Sequence, residues 1–183
     1  MTETEAFPAA LAGTLARLLP ALSASQLHAP SAPFEVHQDG RLLRIPVRTY
    51  YRREQLLACT QLAGDAGVIA LCLGTRHHDG HLREACLRQL LLQERAWTVP
   101  FVVHLCGEYV LEIVEVIGAA LPDWNGAALA RYLRENPAYV ATLERRSISY
   151  WSCYYRGHYP VWEDYPGRRA MAALRALQQL TPR

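Results

Sequence analysis

Residues 79–91, DGHLREACLRQLL, indicate the fold class of this chain. Its apolar residues recur three, four and eight positions apart, beginning at Leu82. In a helix of 3.6 residues per turn this spacing gathers them into one broad apolar stripe. The pattern predicts an amphipathic α-helix over residues 81–93, with Asp79-Gly80 interrupting the chain before it.

The same period continues on both sides of this stretch. Further helices are predicted over residues 7–22, 53–62, 66–73, 97–105, 108–120, 127–135, 137–144, 147–156 and 168–180. Pro20 is expected to bend or end the first of them, and Asp65 to cap the third. Loops are predicted over 23–33 and 160–167. Most other connections are short, which favours antiparallel neighbours.

Residues 34–46 follow a different pattern. Phe34 and Val36 precede a Gln-Asp-Gly turn, and three more apolar residues follow it. Apolar positions on both sides of such a turn indicate a β-hairpin. We expect one small hairpin near residues 34–46, and no other sheet.

The composition fits one globular domain and excludes several function classes. The chain has 183 residues, of which 51% are apolar and 20% charged, and its formal net charge is +2. A net charge this close to zero creates no strong positive electrostatic potential that would attract nucleic acid or anionic membranes, so we expect neither partner. All 19 basic residues are Arg. Without Lys, the chain can use no Schiff-base or P-loop lysine chemistry.

Localisation and redox state are also predicted from composition. The start of the chain is acidic, and no run of about 18 apolar residues occurs, so we expect a cytoplasmic protein without a membrane span. The five cysteines form no Cys-x-x-Cys pair and lie in or beside apolar stretches, which indicates free thiols in a reducing compartment. Cys153, which lies among aromatic residues, is the one to test for reactivity.

Two segments of the chain form a weak internal repeat, and their glycines, Gly80 and Gly107, lie 27 positions apart. In each, a short helix leads through the glycine turn into a longer apolar helix. The segment 79–87 resembles the HEAT-type helical repeat, with a turn Asp, a core aliphatic residue, Arg and an Ala-rich inner face. The resemblance covers about residues 64–120 and implies a binding scaffold. The whole chain is also similar to small uncharacterised bacterial proteins, which assigns no functional residue.

These observations predict an all-α fold, a short stack of antiparallel helix pairs like a HEAT α-solenoid. We expect a single domain over 1–183. Its parts would be an N-terminal helix and loop (1–33), HEAT-like helix pairs (53–120) and C-terminal helices with an aromatic-rich segment (121–183).

A histidine cluster is the first candidate site. His77, His78, Asp79 and His81 are residue types that bind metal ions, and the His-Asp pair resembles the signature of helical metal-dependent phosphohydrolases. Those enzymes need an upstream His and a downstream Asp on helices of the same bundle, whereas His37 falls in the predicted hairpin and Asp123 in a turn. The competing interpretation is that these residues cap helices and bond backbone groups. A metal-dependent hydrolase is therefore the alternative function; the leading one needs no cofactor.

An acidic helix face is the second candidate. Glu108, Glu112 and Glu115 would share one face of a helix, and paired carboxylates can perform acid–base work or hold two metal ions. No Glu-x-x-His motif accompanies them. We interpret them as a solvated face that pairs with Arg83 and Arg88.

The third candidate supplies the leading function. Seven aromatic residues lie between positions 150 and 165, with arginines interleaved. Trp and Tyr with Arg are preferred anchors of protein interfaces. The sequence predicts a non-enzymatic module that binds a protein partner, or a second copy of itself, through Tyr150, Trp151, Tyr154, Tyr155, Arg156, Trp162 and Tyr165. The alternatives are rings that cap the end of the helical stack and, less favoured by the charge, base stacking on nucleic acid.

Overall fold

The computed structural model describes residues 3–179, which are mostly helical and include one small antiparallel sheet. The helical class and the hairpin are therefore confirmed. The predicted end of the last helix at Leu180 lies outside the described residues. The chain forms two compact units, Met1–Gln93 and Glu94–Arg183.

The first unit is built around one apolar helix. Its elements are α1 (Ala12–Ala24), β1 (Pro33–Gln38), β2 (Arg41–Pro46), α2 (Arg53–Thr60), α3 (Asp65–Gly74) and α4 (Gly80–Leu90). Every residue of α3 from Gly67 to Gly74 is buried. Its sequence is apolar on all sides, so it packs against α1, α2 and α4 at once.

The hairpin forms where the alternating pattern places it. Val36 pairs with Leu43, and both are buried. The turn residues Asp39 and Gly40 have φ of 51° and 73°. Positive φ at both central residues is the I′ geometry that matches the twist of the strands, which explains why Asp-Gly stands here.

The second unit holds five α-helices within the described residues. They are α5 (Val99–His104), α6 (Leu111–Ala120), α7 (Gly126–Glu135), α8 (Pro137–Tyr150) and α9 (Pro166–Gln179). The last helix packs on α6 and α7 through one stripe, Ala170, Met171 and Leu174, which is buried. After α8 the chain continues without a break through a π-helical turn, Trp151–Tyr155.

The structure corrects several predicted boundaries. Pro20 does not end the first helix, which runs on to Ala24. The cap position of α3 is held by Gly64, with a φ of 66°, and Asp65 is the first residue of the helix itself. The helices predicted over 137–144 and 147–156 are one continuous element. Solenoid-like stacking and the single-domain organisation stay predictions.

No helix in the described part of the chain has both the length and the apolar character needed to span a bilayer.

Candidate functional site

The aromatic segment folds back on itself within the second unit. The π-helical turn carries Trp151 and Tyr155, and the chain then returns so that Tyr159 and Trp162 approach that turn. The indole nitrogen of Trp151 donates a hydrogen bond to the carbonyl oxygen of Tyr159 at 2.8 Å. This bond fixes the returning loop against the end of α8.

A fully buried ring, Tyr165, forms the base of this arrangement. Tyr155, Tyr159 and Trp162 surround it, with ring centroids 5.6, 5.7 and 5.5 Å from its own. Trp151 extends the group by an edge contact with Trp162 at 5.4 Å. We call these five residues the aromatic cluster. Burial raises the pKa of the Tyr165 hydroxyl, so that group stays protonated at physiological pH.

A second set of rings lies at the surface beside the cluster. Tyr109, Tyr150 and Tyr154 follow one another with centroid separations of 6.0 and 6.3 Å, and we call them the tyrosine row. Tyr154 is 69% exposed and Tyr109 is 47% exposed. The Tyr155 hydroxyl donates a 2.6 Å hydrogen bond to the Tyr109 carbonyl oxygen, and this bond joins the tyrosine row to the aromatic cluster.

Charges of both signs flank these rings. The exposed Arg156 guanidinium lies 5.7 Å from the centre of the Trp151 ring, within cation–π range. The pKa of the Tyr155 hydroxyl is raised by burial and then by the nearby Glu112 carboxylate. Cys153 is exposed, in contrast to the four other cysteines, which are buried.

The structure thus separates the seven predicted binding residues into two groups. Trp151, Tyr155, Trp162 and Tyr165 belong to the aromatic cluster, and Tyr165 has no surface with which to touch a partner. Tyr150, Tyr154 and Arg156 lie beside it. Sequence reasoning missed Tyr109, which joins the tyrosine row from the segment before α6. No local pattern marks that residue, because only the fold brings it to position 150.

The histidine cluster is engaged in local structure. His77 is buried; its Nε2 lies 2.9 Å from the Tyr51 carbonyl oxygen, and its Nδ1 accepts the Asp79 backbone N–H at 3.1 Å. Asp79 caps α4 by accepting the backbone N–H groups of His81 and Leu82 at 2.9 and 3.3 Å. These bonds are the helix-capping arrangement that competed with the metal site.

Asp79 and His78 make further side-chain contacts in this turn. The Asp79 carboxylate pairs with Arg53 at 2.7 Å, and the His78 ring stacks on Tyr50 at 5.3 Å. Within residues 3–179, no three His, Cys, Asp or Glu side chains are arranged to hold a metal ion. The metal-dependent hydrolase alternative stays a prediction.

The three glutamates differ in environment. Glu108 is buried and accepts the backbone N–H of Tyr109 at 3.1 Å, whereas Glu112 and Glu115 are exposed on α6. Arg88, an expected partner, instead pairs with Glu84 of its own helix at 2.8 Å. The glutamates therefore form no shared site of three carboxylates.

The comparisons with known proteins find no matching family model, curated protein or solved structure.

Proposed function

We propose that this chain is a protein-interaction module, which binds a partner protein through the tyrosine row and the adjoining Arg156 of its second unit. One observation carries the proposal. Tyr154 presents 69% of its surface to solvent beside two further tyrosines, while the cluster next to it is packed and hydrogen-bonded. A large ring left exposed on a rigid support is the usual form of an interface anchor.

The rigid support favours binding for an entropic reason. Association costs about 0.5–1.5 kcal/mol for each flexible side chain that must be ordered. The rings of the tyrosine row have few rotatable bonds, and contacts with neighbouring rings already restrict them. Burial of one such ring at the centre of an interface contributes on the order of 2 kcal/mol.

The charges around the row indicate the kind of partner. Arg156 is exposed, and so are the acidic Glu112, Glu163 and Asp164. A polyanion such as nucleic acid gains most from a surface of one positive sign, which this is not. A protein surface that offers an apolar centre with charges of both signs at its rim is the complementary partner.

The experiment compares three immobilised proteins as bait in an extract of the source cells. They are the wild type, the double variant Tyr109→Ser/Tyr154→Ser, and the control Leu92→Ser, which removes a 79% exposed apolar residue elsewhere. All three changed side chains are well exposed, so we expect the thermal melts of the variants to match the wild type. A protein retained by the wild type and the control, and lost with the double variant, supports the proposal.

Sedimentation equilibrium of the same three proteins tests whether the partner is a second copy. Self-association that disappears only in the double variant would identify the row as a homodimer surface. Equal retention and equal mass for all three proteins would contradict the proposal.

A further inference from the structure

The first unit contains a groove of about 470 Å³ between α1 and α2. The α1 side is formed by Thr14, Arg17, Leu18 and Ala21, which lie three, four and seven positions apart on one helix face. Gln55, Ala58 and Cys59 of α2 form the opposite side, and Leu62, Ala63 and Ala66 continue it into the turn and the start of α3. These two sides face each other across the groove, which we call the channel.

Small side chains keep this channel open. Ala21, Ala58 and Ala66 stand where larger apolar residues would close the space between the helices. The floor consists of Leu18 and Cys59, each only 5% exposed. Burial raises the pKa of the Cys59 thiol, against a smaller opposing effect of the Gln55 amide, so the floor stays uncharged at neutral pH.

The two ends of the channel differ. The Arg52 N–H donates to the Ser25 carbonyl oxygen at 2.9 Å, so the end of α1 meets the start of α2 and the helices run in opposite directions. Gln55 therefore lies towards this joined end and Arg17 towards the other. Among the described residues that line the groove, Arg17 is the one charged residue, and the structure gives it no hydrogen bond or ion pair.

We propose that this groove is a binding site for a medium-chain carboxylate, with the alkyl chain over Leu18 and Cys59 and the carboxylate on the Arg17 guanidinium. Arg binds carboxylates through two parallel charge-assisted hydrogen bonds. The eight residues from 14 to 21 cover about 10 Å of helix, and an extended chain of about eight carbons spans a similar length.

The test is a calorimetric titration of the full-length protein with octanoate and, separately, with octanol. The wild type should bind octanoate saturably and octanol more weakly. Arg17→Gln should weaken octanoate binding about tenfold, because a charge-assisted pair is lost, and leave octanol binding unchanged. Ala58→Phe, which fills the channel from an exposed position, should abolish both.

Arg134→Gln is the matched control, since Arg134 is also an exposed helical arginine but lies on α7. It should bind octanoate as the wild type does. The proposal is overturned if the wild type shows no saturable octanoate binding, or if Arg17→Gln and Arg134→Gln behave alike. Should Ala58→Phe fail to fold by circular dichroism, the comparison of the two arginine variants decides alone.

Discussion

His77 shows how a single buried side chain can organise a turn. Its two ring nitrogens meet one backbone acceptor and one backbone donor, the Tyr51 carbonyl and the Asp79 N–H. Only the neutral tautomer with its proton on Nε2 satisfies both. Burial is the largest cause that lowers the pKa of this imidazole, in opposition to the hydrogen bond with Tyr51.

This lowered pKa predicts a pH-dependent stability. Between the unfolded value of 6.5 and the lower folded value, the unfolded chain binds more protons, so stability falls as the pH falls through that window. Urea unfolding at pH 7.5 and 5.0 should show a smaller loss of unfolding free energy for His77→Gln than for the wild type. His81→Gln, an exposed neighbour, should keep the wild-type loss; equal losses in all three proteins would refute the assignment.

Tyr165 allows a prediction about the aromatic cluster. Among the described residues its buried hydroxyl has no hydrogen-bond partner, so packing of the ring is the source of its stabilisation. Tyr165→Phe should change the unfolding free energy by less than about 1 kcal/mol, whereas Tyr165→Ala should lower it by about 3–5 kcal/mol. Chemical denaturation measures both, and a large loss in Tyr165→Phe would contradict this role.

At the residue scale the sequence predicts residue types better than their roles. The residue types of Asp79 and His77 indicate possible metal ligands, and helix capping is the competing interpretation. Capping and metal binding differ in whether the Asp79 carboxylate points at backbone N–H groups or at the histidines. The geometry of the turn sets that direction. In the aromatic segment, no local pattern distinguishes the buried Tyr165 from the exposed Tyr154.

At the scale of elements, α3 and α4 cross closely at a glycine. A Cβ on Gly74, the last residue of α3, would lie 3.0 Å from the Cβ of Cys86 and closer still to its sulfur. The absence of a side chain at Gly74 therefore lets α4 pack directly on the end of the buried helix.

A matched pair of glycine variants tests this packing. Gly74→Ala should lower the unfolding free energy by about 1–3 kcal/mol through overpacking, and adding Cys86→Ala should restore part of that loss. Gly13→Ala, on α1 with open space around it, should raise stability by up to about 1 kcal/mol. Thermal or urea unfolding gives the comparison; equal effects of the two alanines would show that helix propensity alone matters.

Most elements could be predicted from the sequence because their periodicity is local. The apolar stripe of α4 and the Asp-Gly hairpin turn both specify structure within about ten residues. The continuity of α8 into the π-helical turn could not be predicted, since the polar run around Arg145 weakens the period. A proline removes one hydrogen bond, yet the helix continues past Pro20 to Ala24, and Leu19 and Leu22 on either side of it are buried.

At the scale of the whole molecule, the boundary between the two units is an accessible segment. The helix α4 ends at Leu90, the next α-helix begins at Val99, and Leu92 is 79% exposed. Arg95 lies in this segment and is exposed. Limited trypsin digestion should therefore cut first after Arg95 and yield two fragments of nearly equal mass. Early cleavage spread evenly over the many other arginines would contradict this description.

Binding of a partner protein by the tyrosine row can be tested by photo-crosslinking in the source cells. The photoreactive residue p-benzoylphenylalanine replaces Tyr154 in one variant and Leu92 in the other. Both positions are exposed, so both probes sample the surroundings equally. A discrete crosslinked species should form from position 154 and be missing from position 92. No crosslink at 154, or the same products from both positions, would contradict it.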